Sequence, residues 1–97
     1  MTIEKKQQDT TVELKLIGWV NTQTAPELEE ALRELPEDTT QLVLDCSELE
    51  YVSSAGLRQI VAAYKKMNGN LVLRSVSEEI AHVLKMTGLQ NRLHMEP

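Results

Sequence analysis

Hydrophobic and polar residues alternate near the start of the chain, where charged residues separate Val12, Leu14 and Leu16. A period of two sends successive side chains to opposite faces of a strand, so this pattern is typical of a half-buried strand. Residues 3–8 are also extended in character. We therefore predict that 3–8 and 11–17 form a hairpin with one face exposed to solvent.

A first helix is predicted between Thr24, which can cap its N-terminus, and Pro36, which ends it. Pro26 is tolerated in the first turn, where its missing N–H group is not needed. A hydrophobic stripe follows at helical spacing and consists of Leu28, Ala31, Leu32 and Leu35. This stripe is expected to pack against the sheet.

Two more helices are predicted later in the chain. The second begins at position 54 or 55 and runs to Met67, before a turn. Its hydrophobic face consists of Leu57, Ile60, Val61 and Tyr64. The third begins at a capping box made by Ser75 and Glu78 and ends at residues 87–88.

Two continuous hydrophobic runs, 42–44 and 71–73, are typical of strands buried on both faces, and residues 92–95 are predicted to add a last strand. A hairpin followed by alternating helices and strands predicts an α/β fold, whose parallel strands are joined by right-handed crossovers. Because the chain has enough hydrophobic residues for one modest core, residues 1–97 are expected to form a single domain.

The overall composition excludes several classes of function. The net charge is −5, and the 97 residues include one Trp, two Tyr and no Phe. The chain therefore lacks the positive charge and the aromatic rows that bind nucleic acid. It also lacks an apolar leader and a run of about 20 apolar residues that could span a membrane. We expect a cytoplasmic protein that binds another protein, with no membrane insertion.

Metal, disulfide and cofactor chemistry have no support in the sequence. Cys46 is the only cysteine, His82 and His94 are the only histidines, and none has a partner at metal-ligand spacing. The four glycines are scattered, so no glycine-rich phosphate loop exists. We predict no metal and no cofactor, and we interpret Cys46 as a half-buried filler.

Two polar loops leave successive predicted strands and lead into helices. They comprise residues 18–24 and 46–56. In open α/β sheets, such loops meet at the carboxyl ends of the strands and form the binding site. The polar residues expected to meet there are Asn21, Thr22, Ser53 and Ser54.

The turn Ser53-Ser54-Ala55-Gly56 has a structural and a functional interpretation. In the first, a serine caps the second helix, and Gly56 lets its first turn approach a neighbour closely. In the second, a phosphate on Ser54 brings about 1.5 to 2 negative charges to a helix N-terminus, where unpaired N–H groups favour it. Such a modification would leave the fold intact and change the binding of a partner.

A serine hydrolase is a competing hypothesis for the same turn, and it predicts labelling of Ser53 or Ser54 by a serine-reactive probe. The turn is not a Gly-x-Ser-x-Gly elbow, however, and neither histidine follows a strand where a triad base is needed. The sequence therefore favours a binding protein over an enzyme.

Three further residues are candidates for contact with a partner. Trp19 lies in the first polar loop, and a tryptophan there could anchor a partner or pack against the core or the sheet edge. Arg58 and Gln59 point outward if Leu57 and Ile60 point inward. Both could contact a partner, or they could form an ordinary solvated helix face.

Two segments together resemble the signature of STAS domains, the family of bacterial anti-sigma factor antagonists. They are Leu42-Val43-Leu44-Asp45-Cys46-Ser47 and Tyr51-Val52-Ser53-Ser54-Ala55-Gly56-Leu57. The segment from Gly18 to Leu28 also resembles the entry into the first helix of that family. The likeness covers the chain from residue 3 to about residue 95.

This resemblance implies a mixed sheet of four to five strands with helices mainly on one face, and a protein that is not itself an enzyme. It implies that the unphosphorylated form binds an anti-sigma factor that is also a GHKL-type serine kinase, and so frees a sigma factor. The kinase would phosphorylate Ser54, and a PP2C-type phosphatase would reverse this step. From the two loops and the outward face of the second helix, the residues that we expect to bind the partner are Asn21, Thr22, Ser53, Ser54, Ala55, Gly56, Arg58 and Gln59.

The chain departs from the family pattern at two positions near Ser54. Many members carry aspartate where this chain has Asn21 and Ser53. The loss of these acids could change the kinase preference or make Ser53 a second acceptor. Many relatives also continue into a last helix, whereas this sequence ends at Pro97. A second hypothesis keeps the fold and makes the chain a STAS scaffold subunit without a switch, in a stress-signalling or lipid-transport complex.

Overall fold

The computed structural model describes residues 1–86, 88 and 93–96. Within this part of the chain, five strands and three helices are found. The strands are β1 (Thr2–Gln8), β2 (Thr11–Val20), β3 (Gln41–Val52), β4 (Leu71–Arg74) and β5 (His94–Met95). The helices are α1 (Ala25–Arg33), α2 (Ser54–Lys66) and α3 (Glu78–Met86).

The strands form one mixed sheet in the order β1-β2-β3-β4-β5. The hairpin of β1 and β2 is antiparallel, and every later pair of neighbours is parallel. This arrangement confirms the predicted α/β fold with an N-terminal hairpin and a mixed sheet. The final strand was predicted over residues 92–95, of which residue 92 lies outside the described part of the chain.

One face of the sheet carries the hydrophobic core. Alternate residues of β2, β3 and β4 point into it and meet the inward faces of the three helices. The central side chains are at most 1% exposed and include Val12, Leu14, Leu16, Leu42, Leu44, Leu71 and Leu73 from the strands, with Leu28, Ile60 and Leu84 from the helices. On the other face, Val43 is buried outside this cluster, and charged side chains dominate. The helices thus pack mainly on one face.

Both central strands extend further than the sequence predicts. β2 continues to Val20 and β3 to Val52, so the predicted second loop is strand over residues 46–52. Two irregularities in the β2–β3 pairing, after Lys15 and after Gly18, give β3 extra residues. Such bulges break the alternation of hydrophobic and polar positions. This broken pattern looks like a loop in the sequence.

The helices differ from prediction in their ends and in one buried face. The side chain that accepts from the first turn of α3 is Ser77, whose Oγ lies 3.2 Å from the N–H nitrogen of Ile80. The predicted capping box at Ser75 and Glu78 is therefore wrong. The predicted end of α3 at residues 87–88 falls partly outside the described residues. In α2 the buried positions are Gly56, Ile60 and Ala63, whereas Leu57, Val61 and Tyr64 are half-buried.

Candidate functional site

The carboxyl ends of β2 and β3 lie side by side, as the sequence predicts. Val20 and Val52 are paired in the parallel ladder. The N–H group of Ser53 donates to the carbonyl oxygen of Val20 over 2.8 Å. This hydrogen bond fixes the start of α2 against the loop that follows β2. The segments carrying Asn21 and Ser54 are therefore neighbours.

Ser53 caps helix α2. Its backbone is extended, with φ −88° and ψ 177°, and its Oγ accepts from the N–H group of Gly56 over 3.4 Å. A side chain oxygen in this position satisfies an N–H group that has no partner within the helix. Ser53 is half-buried and has a structural task.

Ser54 is the first residue of α2 and is exposed to solvent. Because the cap is supplied by Ser53, the hydroxyl of Ser54 is not needed to satisfy the helix. No hydrogen bond of this hydroxyl is found within the described part of the chain. The first turn of α2 also contains no acidic residue. The positive end of the helix dipole would therefore stabilise an anion at position 54, and no acidic side chain on that turn would repel it.

Gly56 lets α2 approach both strand ends closely. A Cβ atom at this position would lie 2.8 Å from Val20 Cγ1, 2.9 Å from the carbonyl oxygen of Val20 and 2.9 Å from Val52 Cγ1. Real Cβ atoms essentially never come so close to other atoms. The close approach predicted for Gly56 is thus confirmed. Gly56 is buried, so it contributes packing to the site and offers no side chain to a partner.

Asn21 organises the loop after β2. Its Oδ1 accepts from the N–H groups of Gln23 and Thr24 over 2.9 and 3.0 Å. The hydroxyl of Thr24 donates to the carbonyl oxygen of Trp19 over 2.7 Å and accepts from the N–H group of Asn21 over 2.9 Å. Thr24 occupies the N-cap position of α1 without a side-chain capping bond, so its predicted capping role is wrong. Thr22, at the tip of this loop, is exposed.

Replacing Asn21 by alanine is expected to lower the free energy of unfolding by about 1 to 2 kcal/mol, because two loop N–H groups lose their acceptor. Asn21→Asp keeps an acceptor oxygen and serves as the matched control, with an expected change below about 0.5 kcal/mol. Urea unfolding followed by circular dichroism measures both values. Equal losses in the two variants would contradict the role of Oδ1.

The two candidates on α2 have different environments. Arg58 is exposed and points outward, as predicted. Gln59 is half-buried, and its Nε2 donates to Glu29 Oε2 of α1 over 3.3 Å. Gln59 therefore helps to join two helices, whereas Arg58 leaves its guanidinium to solvent. Ala55, between the two serines and Gly56, is half-buried.

Tyr51 is a surface residue of this region that the sequence analysis did not single out. Its side chain is 52% exposed, and it is the register partner of Trp19, which is 57% exposed. The exposure of Trp19 excludes packing in the core. The only signal for Tyr51 in the sequence is an aromatic residue next to a charged one, Glu50.

The remaining reactive side chains lie outside this site. Burial raises the pKa of the Cys46 thiol to about 12, with a smaller contribution from the charge of Asp45. The thiol therefore stays protonated and behaves as a core residue, more deeply buried than predicted. His82 and His94 are exposed. Among the described residues, no group of three or more His, Cys, Asp or Glu could hold a metal ion.

Comparison with known proteins identifies the family. The sequence model of the STAS domain matches residues 2–97. The chain belongs to the STAS family. A relative of this STAS domain is the anti-sigma-B factor antagonist of Staphylococcus aureus, which is 32% identical over 99 residues, with 98% of this chain and 92% of the relative covered.

None of the helices in the described residues is long and apolar enough to cross a membrane.

Solved structures share the fold of this STAS domain. An anti-sigma factor antagonist from Mycobacterium paratuberculosis has a TM-score of 0.88 at 25% identity, over 99% of this chain and 85% of the other. The phosphorylated form of the Bacillus cell fate determinant SpoIIAA has a TM-score of 0.68 at 15% identity, over 97% and 90%. These similarities confirm the predicted STAS-like fold.

Proposed function

We propose that this STAS domain is an anti-sigma factor antagonist controlled by phosphorylation of Ser54. Its unphosphorylated form binds an anti-sigma factor that is also a GHKL-type serine kinase, and this binding releases a sigma factor. The kinase phosphorylates Ser54, and a PP2C-type phosphatase removes the phosphate. The domain acts by binding, in the cytoplasm, and performs no catalysis itself.

The division of roles between the two serines is the observation that carries this proposal. Ser53 accepts the hydrogen bond that caps α2, whereas Ser54 is exposed on the first turn. Modification of Ser54 leaves the capping bond in place. Ser53 is half-buried with its Oγ against the N–H group of Gly56, so the exposed Ser54 is the more accessible phosphate acceptor. The names of the curated relatives, anti-sigma-B factor antagonist, support the choice of partner.

Arg58 supports the idea that the fold tolerates a phosphate at position 54. Residues separated by four positions are neighbours on a helix surface. The exposed guanidinium of Arg58 is therefore spaced to pair with a phosphate on Ser54. The modified helix would gain an ion pair, and the partner would meet a surface with altered charge and shape. Phosphorylation then acts on binding and spares stability.

The test compares wild type with Ser54→Ala and Ser54→Glu as baits in the cytoplasm of the source bacterium, with partners and phosphosites identified by mass spectrometry. Wild type and Ser54→Ala are expected to retain a GHKL-type kinase. Ser54→Glu should weaken the purified complex by about 2 kcal/mol, or roughly thirtyfold in Kd, because a charge is forced into the interface.

A matched control adds the same charge elsewhere. Ser47 is an exposed serine on β3, and Ser47→Glu should retain the kinase with unchanged affinity. If all baits hold the same partners and no phosphate is found on Ser54, the scaffold function without a switch replaces the proposal. A phosphate mapped to Ser53 alone would contradict the assignment of the acceptor.

A further inference from the structure

Two large aromatic side chains lie exposed at adjacent positions of the sheet. Trp19 is 57% exposed and Tyr51 is 52% exposed. They are paired in the register of β2 and β3, at one of the two irregularities in that ladder. The extra residue in β3 leaves both Glu50 and Tyr51 exposed between buried Leu49 and Val52. The bulge thus presents an aromatic ring and a carboxylate together.

This aromatic pair is unusual on the surface of the chain. Met86 is the other large hydrophobic residue with comparable exposure among the described residues. Scattered single hydrophobic residues are ordinary on protein surfaces, but tryptophan and tyrosine beside each other are the residue types that dominate binding energy at interfaces. Each of the two residues leaves more than half of its surface exposed when the chain is alone, and this area is available to a partner.

Two carboxylates, those of Glu48 and Glu50, belong to β3 near the pair, and the N-terminal residue Met1 lies next to Gly18 on the other side of β2. Glu50 follows Leu49 in β3 and makes no ion pair within the described residues. Lys15 is already occupied, because its Nζ lies 2.6 Å from Glu48 Oε2. The hydrogen bond and the charge of Glu48 also raise the pKa of Lys15. An aromatic face attracts a cation through its quadrupole, and a neighbouring carboxylate adds to this attraction. The surface therefore complements a positively charged side chain.

The pair is also continuous with the candidate switch site. Val20 and Val52 follow Trp19 and Tyr51 directly, and the N–H group of Ser53 donates to the carbonyl oxygen of Val20. A partner that covers the start of α2 and reaches around the carboxyl ends of β2 and β3 would contact the pair. The carbonyl oxygen of Trp19 is itself held by the hydroxyl of Thr24, so the backbone under the pair is fixed.

We propose that Trp19, Tyr51 and Glu50 form a docking surface for a cationic side chain, arginine or lysine, of the anti-sigma factor. This inference rests on the proposed function and adds a contact that does not depend on the phosphate. The aromatic rings stack on the cation while the Glu50 carboxylate pairs with it. The docking surface holds the partner beside Ser54.

Trp19 is the only tryptophan of the chain and provides a direct readout. The anti-sigma factor retained by the wild-type bait is purified and titrated into the full chain. Binding should shift the emission of Trp19 to shorter wavelength and reduce its quenching by acrylamide. The complex formed with Trp19→Phe supplies the background from any tryptophan of the partner.

Substitutions at the aromatic residues and at Glu50 measure separately how the rings and the carboxylate contribute to binding. Trp19→Ala and Tyr51→Ala should each weaken binding by about tenfold, whereas Trp19→Phe, which keeps an aromatic face, should retain most of the affinity. Glu50→Gln should weaken binding at low salt and lose this effect at high salt, since salt screens an exposed charge. Met86→Ala and Glu37→Gln are controls for an exposed hydrophobic residue and an exposed acid, and neither should change Kd.

The outcomes distinguish this inference from the proposed switch. If Ser54→Glu loses the partner while Trp19 stays equally accessible to acrylamide in the wild-type complex, the switch stands and the docking surface is overturned. If Trp19 is protected and Ser54→Glu still binds, the docking surface stands and the switch fails. Protection of Trp19 by self-association, seen in sedimentation of the chain alone and abolished by Trp19→Ala, would assign the surface to a second copy and overturn the inference.

Discussion

Replacing Gly56 by valine is expected to lower the free energy of unfolding by about 3 kcal/mol, the upper part of the range for overpacked cores. The first added carbon would already lie within 3 Å of Val20 and Val52, and one of the atoms it meets is a backbone oxygen. Val20 is the last paired residue of β2, and its carbonyl oxygen accepts from the N–H group of Ser53, so this backbone cannot move aside as a flexible side chain can. The start of α2 must therefore shift away from the strands.

Thermal and urea unfolding of the Gly56→Val chain test this expectation, with a decrease in Tm of about 12 °C or more. Ala62→Val is the matched control, because Ala62 is exposed on the same helix. Its effect should stay below about 1 kcal/mol, the range of helix propensities. Gly56→Ala should fall between the two. An unchanged Tm for Gly56→Val would mean that α2 does not need this close approach.

Replacing Ile60 by alanine is expected to destabilise the fold by about 3 to 4 kcal/mol, whereas Arg58→Ala should change stability by less than about 0.5 kcal/mol. Ile60 is 1% exposed and lies in the core cluster, so its truncation leaves a cavity beneath α2. Arg58, two positions earlier, is exposed. The pair of variants separates the two faces of one helix.

Binding of the anti-sigma factor should show a different pattern from stability. At a temperature where both variants are folded, we expect Ile60→Ala to retain the partner and Arg58→Ala to bind more weakly. Calorimetric unfolding and isothermal titration of the same two proteins measure both properties. A loss of stability in Arg58→Ala, or none in Ile60→Ala, would contradict the orientation of α2.

The regular parts of the fold follow from the sequence, because their side chains obey simple periods. Val12, Leu14 and Leu16 alternate and are buried, and the run 42–44 is fully buried, as predicted. The ends of β2 and β3 could not be predicted. Gly18 has a φ of 101°, and two bulges change which residues point toward the core. The ends of these strands therefore show neither an alternating pattern nor a continuous hydrophobic run.

The sequence predicts where the candidate site lies, but it does not predict which of the two serines caps α2. Parallel strands bring their carboxyl ends together, so the neighbourhood of Asn21 and Ser54 follows from topology. Either of two adjacent serines, however, can cap a helix, and only the folded structure assigns that bond to Ser53. The sequence also does not predict which face of α2 is most deeply buried. Small residues, Gly56 and Ala63, fill positions where close approach matters more than hydrophobic bulk.

The hydrogen bond between Ser53 and Val20 has a consequence for the newly made chain. It joins segments that are separated by all of α1 and all of β3. Pairing over such a distance forms late, since the entropy of closing the intervening loop must be overcome first. A chain still emerging from the ribosome, or one that has unfolded, offers Ser54 without the surrounding surface. A kinase that reads this surface would phosphorylate completed domains, so the level of phosphate would report on the folded population alone.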